Sequence, residues 1–122
     1  MPHPPNRLNV IRLTRQETKT FAVFIKTSEG RVAKLQGANV VMSVRQGTTG
    51  PALIKKQLGD GIQIVDIAKG KALVTLTSVD TAALSQGTYR YDVWVTYPTD
   101  PPERRLVVKA DLIVAESVTD FE

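Results

Sequence analysis

The sequence predicts an all-β fold, an immunoglobulin-like β-sandwich of seven to eight antiparallel strands with one short helical turn. Three observations carry that expectation. Wherever the chain is apolar it alternates with a period of two, and no window longer than about ten residues shows helical spacing. Turn signals recur every eight to twelve residues or so across 122 residues, the rhythm of a sandwich. A capped turn followed by Gly87-Thr88-Tyr89-Arg90-Tyr91 resembles a tyrosine corner, in which a phenol at the start of the penultimate strand bonds back to upstream backbone. Tyr91 would then take the place of the core cysteine of disulfide-bonded relatives.

The elements follow in order. Residues Arg7 to Leu13 read as a first strand with Leu8 and Val10 on one side and Arg12 able to join them; Thr14 to Glu17 is a polar break. Thr18 to Lys26 is a stronger strand, with Phe21, Val23 and Ile25 on one face and Ala22 and Phe24 on the other. Ser28-Glu29-Gly30 signals a turn. Asn39 to Gln46 then alternates, Val40, Met42 and Val44 pointing inward against Val41, Ser43 and Arg45.

Gly47 to Pro51 is a loop, and Ala52 to Leu58 a short strand whose Lys55 and Lys56 mark it as a sheet edge. Gly59-Asp60-Gly61 connects it to a strand at Ile62 to Ile67, and Ala68 to Gly70 turns the chain into Lys71 to Thr77, with Ala72, Val74 and Leu76 as its core face. Thr77 to Leu84 is the one helix-like piece: Thr77 can cap it, and Asp80 can answer three positions on.

Thr88 to Tyr97 alternates most strongly, with Tyr89, Tyr91, Val93 and Val95 on one face and Arg90, Asp92 and Trp94 on the other. Pro98 to Pro102 forms a stiffened hairpin loop. The return strand Arg104 to Val114 places Leu106, Val108, Ala110, Leu112 and Val114 on one side, and the acidic Glu116 to Glu122 frays. The core is expected to comprise Phe21, Val23, Val40, Met42, Val44, Val74, Leu76, Tyr91, Val93, Leu106 and Val108. The domain plan is an arm and first strand over 1–17, the sandwich over 18–118 and a tail over 119–122.

Composition excludes several functional classes. With 42% hydrophobic and 23% charged residues the chain matches ordinary globular domains, and at this length folding hides roughly two-thirds of the unfolded surface. No run approaches the ~20 apolar residues of a membrane span, and the proline-broken first fifteen residues lack a signal-peptide core, so the chain is expected to stay where it is made. Zero cysteines remove disulfides, thiol nucleophiles and thiolate metal sites. The single histidine, His3, lies in a proline-rich tail, which leaves no histidine-based triad or zinc site. Met1 to Asn6 reads as an arm that extends away from the sandwich.

Catalysis by paired carboxylates would need two acids converging in a cleft, yet Asp60, Asp66, Asp80, Asp92, Asp100 and Asp111 fall at turns or on outward faces. Asp60 lacks the surrounding acidic spacing of a calcium loop, and no glycine-rich phosphate loop is present. The expectation is therefore no enzyme, no cofactor and no metal.

The net charge is +4, and it is uneven: ten basic and three acidic residues over 1–61 against six and nine over 62–122. That is a hint of complementary faces in a self-assembly. The basic pairs Lys55-Lys56 and Arg104-Arg105 lack interleaved aromatics and read as solubility and edge protection, which argues against nucleic acid.

Trp94 stands out, an indole on the outward face of the best strand beside Asp92 and Thr96. Either a loop or terminal segment covers it, or the face assignment is inverted, or it anchors a subunit interface together with Arg90 and Asp92. Phe24 carries the same ambiguity.

From Thr18 to Val118 the chain resembles a small module of tailed bacteriophages and prophages, the amino-terminal immunoglobulin-like domain of phage upper baseplate proteins. The resemblance lies in TKTFAVFIK, LQGANVVMSVR, IQIVDIAKGKALVTLT and above all TAALSQGTYRYDVWVT. It departs at Gln16-Glu17, where relatives often carry Gly-Asp, and at the Pro98 to Pro102 hairpin. The resemblance implies a non-enzymatic virion protein, a tail, baseplate or connector adaptor or ring module, made and assembled in the bacterial host cytoplasm. Its partners would be other virion proteins and further copies of itself, with no membrane. A capsid decoration protein and a non-viral binding sandwich are the alternatives.

Overall fold

The computed structural model describes residues 10–26, 35, 37–47 and 50–119. Eight strands and one helix follow one another: β1 (Ile11–Thr14), β2 (Lys19–Phe24), β3 (Asn39–Arg45), β4 (Ile54–Leu58), β5 (Gly61–Asp66), β6 (Lys71–Leu76), α1 (Ser78–Ala82), β7 (Gly87–Tyr97) and β8 (Glu103–Ala115). The Met1 to Asn6 arm and the Ser28-Glu29-Gly30 turn lie outside the described residues.

The hydrogen-bonded order is β1-β8-β7-β3-β4-β5-β6-β2. It splits into two layers, β1-β8-β7-β3-β4 and β5-β6-β2, joined where β4 and β5 share two residue pairs, Gln57 with Gly61 and Leu58 with Ile62. Central strands β3, β7 and β8 against β2, β6 and β5 reproduce the immunoglobulin arrangement, with β4 as the extra strand beside β3. The protein is an immunoglobulin-like β-sandwich. Five of the seven pairings are antiparallel; β1 runs parallel to β8, and β4 parallel to β5.

The core follows from alternation. Val40, Met42 and Val44 of β3, Ala72, Val74 and Leu76 of β6, and Tyr89, Tyr91, Val93 and Val95 of β7 are all buried. Val23 and Ile25 join them from the second strand, and Phe21 packs against the cluster while half-buried. Among the described residues, burying these side chains at about 25 cal/mol per Å² of apolar surface is the main stabilising contribution.

The tyrosine corner is present: the Tyr89 hydroxyl donates to Ser85 O at 2.8 Å. The helical turn ahead of it is held by a complete capping box. Asp80 N–H donates to Thr77 Oγ1 at 3.2 Å, and Thr77 N–H donates to Asp80 Oδ2 at 2.8 Å. Buried Thr81 ties the same turn to the β1–β2 connection through its hydroxyl, which donates to Glu17 O at 2.8 Å.

Three expectations need correction. In β1 the buried residues are Ile11 and Leu13, whereas Val10 is half-buried and Arg12 exposed, so the core face is not the one expected to carry Val10 and Arg12; parallel pairing with β8 sets it, and Arg7 to Asn9 lie outside the described residues. The lysine-bearing β4 ends its layer beside β3, with only Gln57 and Leu58 reaching β5, but Lys56 does not serve as edge protection. Lys56 there is used internally: its ammonium lies 2.8 Å from Asp80 Oδ2, both side chains being mostly covered.

Leu106 is not core but 48% exposed. A register shift opposite Val93 and Trp94 pairs Val93 with Val108 and Trp94 with Leu106, leaving Val107 as the extra residue. One inserted residue reverses the facing of everything before it, so Leu106 turns outward and Val108 is only partly buried.

Candidate functional site

The outer face of the β4-β3-β7-β8 layer is built by the register of these four strands. Trp94 lies opposite Val41 of β3 and Leu106 of β8, and Val41 in turn lies opposite Gln57 of β4. Directly opposed residues share a face about 5 Å apart, so Val41, Trp94 and Leu106 form an apolar row across three strands. The indole is 37% exposed, which places it outward and excludes a core role. No strand or helix among the described residues lies over this row.

Polar rows flank it. On one side Asp92 opposes Ser43 and Lys109; beyond it Arg90 opposes Arg45 and Asp111. Arg90 Nη1 is 2.6 Å from Asp111 Oδ1, a charge-assisted bond that fixes the guanidinium. Arg45 is held at the rim by donating from Nη1 to Gly50 O at 2.8 Å. On the other side Thr96 opposes Asn39 and Arg104. Asn39 is oriented by its neighbours, Nδ2 donating to Gln57 Oε1 and Oδ1 accepting from Leu58 N–H, each at 3.4 Å.

The indole forms a ridge between two depressions. One, of about 270 Å³, is lined by Ser43, Arg45, Arg90, Asp92 and Lys109; the other, of about 460 Å³, by Asn39, Lys55, Gln57, Thr96 and Arg104. The face carries Arg45, Lys55, Arg90, Arg104 and Lys109 against Asp92 and Asp111, an excess of positive charge. Among the described residues no cluster of three metal-ligating side chains occurs. No helix among them is long and apolar enough to cross a membrane.

Trp94, Arg90 and Asp92 thus come together as read from the sequence. Phe24 does not join them: it is 50% exposed on the outer side of β2, opposite Lys71, in the other layer. Sequence reasoning missed Val41 and Leu106 as neighbours of the indole, and Arg45 and Lys109 as its rim. The outward alternation of β3 exposes Val41 and Arg45, but which strand β3 pairs with is a non-local fact.

No protein family and no curated protein matches the chain. Among solved structures it is similar to AggA, the major subunit of aggregative adherence fimbriae type I from Escherichia coli, at 12% identity and a TM-score of 0.36, covering 88% of this chain and 89% of that one. It is also similar to the V domain of amphioxus IgVJ-C2, at 14% identity and a TM-score of 0.34, covering 86% of this chain and 99% of that one.

Proposed function

We propose that the chain is a non-enzymatic structural component of a tailed-bacteriophage virion, an adaptor or ring module of the tail, baseplate or connector. It works by docking the Trp94 face onto a neighbouring virion protein. The observation that supports this reading best is the apolar row of Val41, Trp94 and Leu106, unusual on an outer sheet face, enclosed by charged residues that set orientation. The virion setting rests on the sequence resemblance over Thr18 to Val118. The excess of cations on the face favours a partner surface with acidic residues around an apolar pocket.

A photo-crosslinking residue at Gln57, at the end of the apolar row, tests the reading in assembled particles. The expected result is one crosslinked virion protein, lost on Trp94→Ala. Purified particles of the parent phage that contain no copy of the chain would overturn the proposal.

A further inference from the structure

The segment that follows β8 is acidic: Glu116 to Glu122 reads Glu-Ser-Val-Thr-Asp-Phe-Glu, three carboxylates and no base, with Phe121 between two of them. Its described part leaves Val118 fully exposed. The Ser117 hydroxyl donates to Thr119 O at 3.0 Å, and Thr119 N–H donates back to Ser117 Oγ at 3.1 Å, a local turn that shortens the segment. Its root is tied to the fold by Glu116 Oε1, which lies 3.6 Å from Arg15 Nη1.

The depression of about 460 Å³ beside Trp94 has the opposite character. Lys55 and Arg104 give it two cations, and no acid lines it. Among the described residues neither cation enters an ion pair. Val41 and Trp94 supply its apolar surface. The same face of a second copy does not suit it, because cations would then oppose cations. An acidic stretch built around an apolar side chain does.

We propose that this depression receives the Asp120-Phe121-Glu122 segment of a second copy of the chain. The inference rests on the reading of the Trp94 face as a docking surface and names what docks there. Phe121 packs against the indole, while the flanking carboxylates meet Lys55 and Arg104. The contact runs between copies because one copy cannot span it. Arg104 and Ala115 lie eleven positions apart on β8, about 33 Å at the rise of a strand with the bulge residue Val107 not counted. Phe121 lies six positions beyond Ala115, at most about 21 Å even when fully extended. A face on one copy that takes a segment from the next is a head-to-tail contact, and such contacts close into a ring or run on as a filament.

The chain has a single tryptophan, so its fluorescence reads the site directly. A synthetic peptide of residues 115–122, titrated into the dilute full chain, should shift the Trp94 emission saturably. Phe121→Ala in the peptide should weaken that binding at least tenfold, and so should Asp120→Lys combined with Glu122→Lys. In the full chain, sedimentation should show concentration-dependent association that Trp94→Ala and Phe121→Ala each lower at least tenfold, with unchanged circular dichroism. Mixing the two variants should restore a one-to-one complex, because the first keeps an intact segment and the second an intact face. A peptide that leaves the emission unchanged, a Phe121→Ala chain of undiminished association, or no complex in the mixture would each overturn the proposal. If the Gln57 crosslinker then still captures a different virion protein, the tail inference alone fails and the docking face stands. If it captures none, the docking reading fails with it.

Discussion

The ring of Phe21 meets the ring of Tyr91 edge-on, with centroids 6.2 Å apart and planes at 65°. One residue comes from β2 and the other from β7, so this contact spans the two layers at the position where disulfide-bonded immunoglobulin domains place their bridge. A chain without cysteine joins its layers here through ring contact and burial. Replacing each ring by leucine, singly and together, should reveal a coupling of about 1 kcal/mol in a double-mutant cycle read by denaturant unfolding. Additive effects would mean that the two rings are merely neighbours.

Burial pushes the Tyr91 phenol up to about 12. The folded state therefore keeps the proton through a range in which the unfolded chain loses it. The neutral phenol's contribution is fully present below pH 10 and is lost as pH rises toward 12. Wild-type stability should fall by about 2 kcal/mol between pH 10 and 12 on this account, and Tyr91→Phe should flatten that limb of the profile.

Tyr89 contributes differently, through its hydroxyl rather than its ring edge. The 2.8 Å bond to Ser85 O fastens the turn after α1 to the start of β7. Tyr89→Phe keeps the buried ring and leaves the Ser85 carbonyl short of a donor. The expected cost is about 1 kcal/mol in equilibrium unfolding, with no change in association.

How far these features were legible in the sequence depends on how local they are. The capping box needs only Thr77 and Asp80, and the corner only a tyrosine after a glycine-ended turn, so both could be read directly. Alternation likewise exposed Trp94 and buried Met42. Lys56 misled because a lysine on a short strand signals an edge, whereas its partner, Asp80, lies far along the chain in α1. Leu106 misled because a single bulge residue, Val107, reverses facing without leaving a glycine or proline to mark it. The apolar row itself depends on which strands are neighbours, and pattern alone does not fix that.

The Asp80 carboxyl integrates the capping box with the β4 contact, and it should control the acid limb of stability. Burial alone would raise its pKa, but the Lys56 ammonium and the bonds from Thr77 outweigh it and hold the group below its ordinary 3.8. A lowered carboxyl contributes stability that is present above the unfolded value and disappears as pH falls through the folded one. Thermal melts should therefore show a loss below about pH 4 that Asp80→Asn removes. At neutral pH, Asp80→Asn and Lys56→Met should each cost about 1 kcal/mol.

Trp94 separates fold from function most cleanly. Its indole is 37% exposed and its strand is held by neighbours on both sides, so Trp94→Ala should move the melting temperature of the isolated chain by little. Association is another matter. A large aromatic at the centre of a face, ringed by charges that exclude water on closure, is the kind of residue that concentrates binding energy. On the proposed docking role, Trp94→Ala should weaken binding to the partner by about 2 kcal/mol or more, read by titration against isolated partner or by occupancy in purified particles. Rim changes such as Lys109→Ala, on a side chain that opposes Asp92, should act mainly on association rate and its salt dependence. Full affinity in Trp94→Ala, with the chain still folded, would move the docking surface to another face of the sandwich.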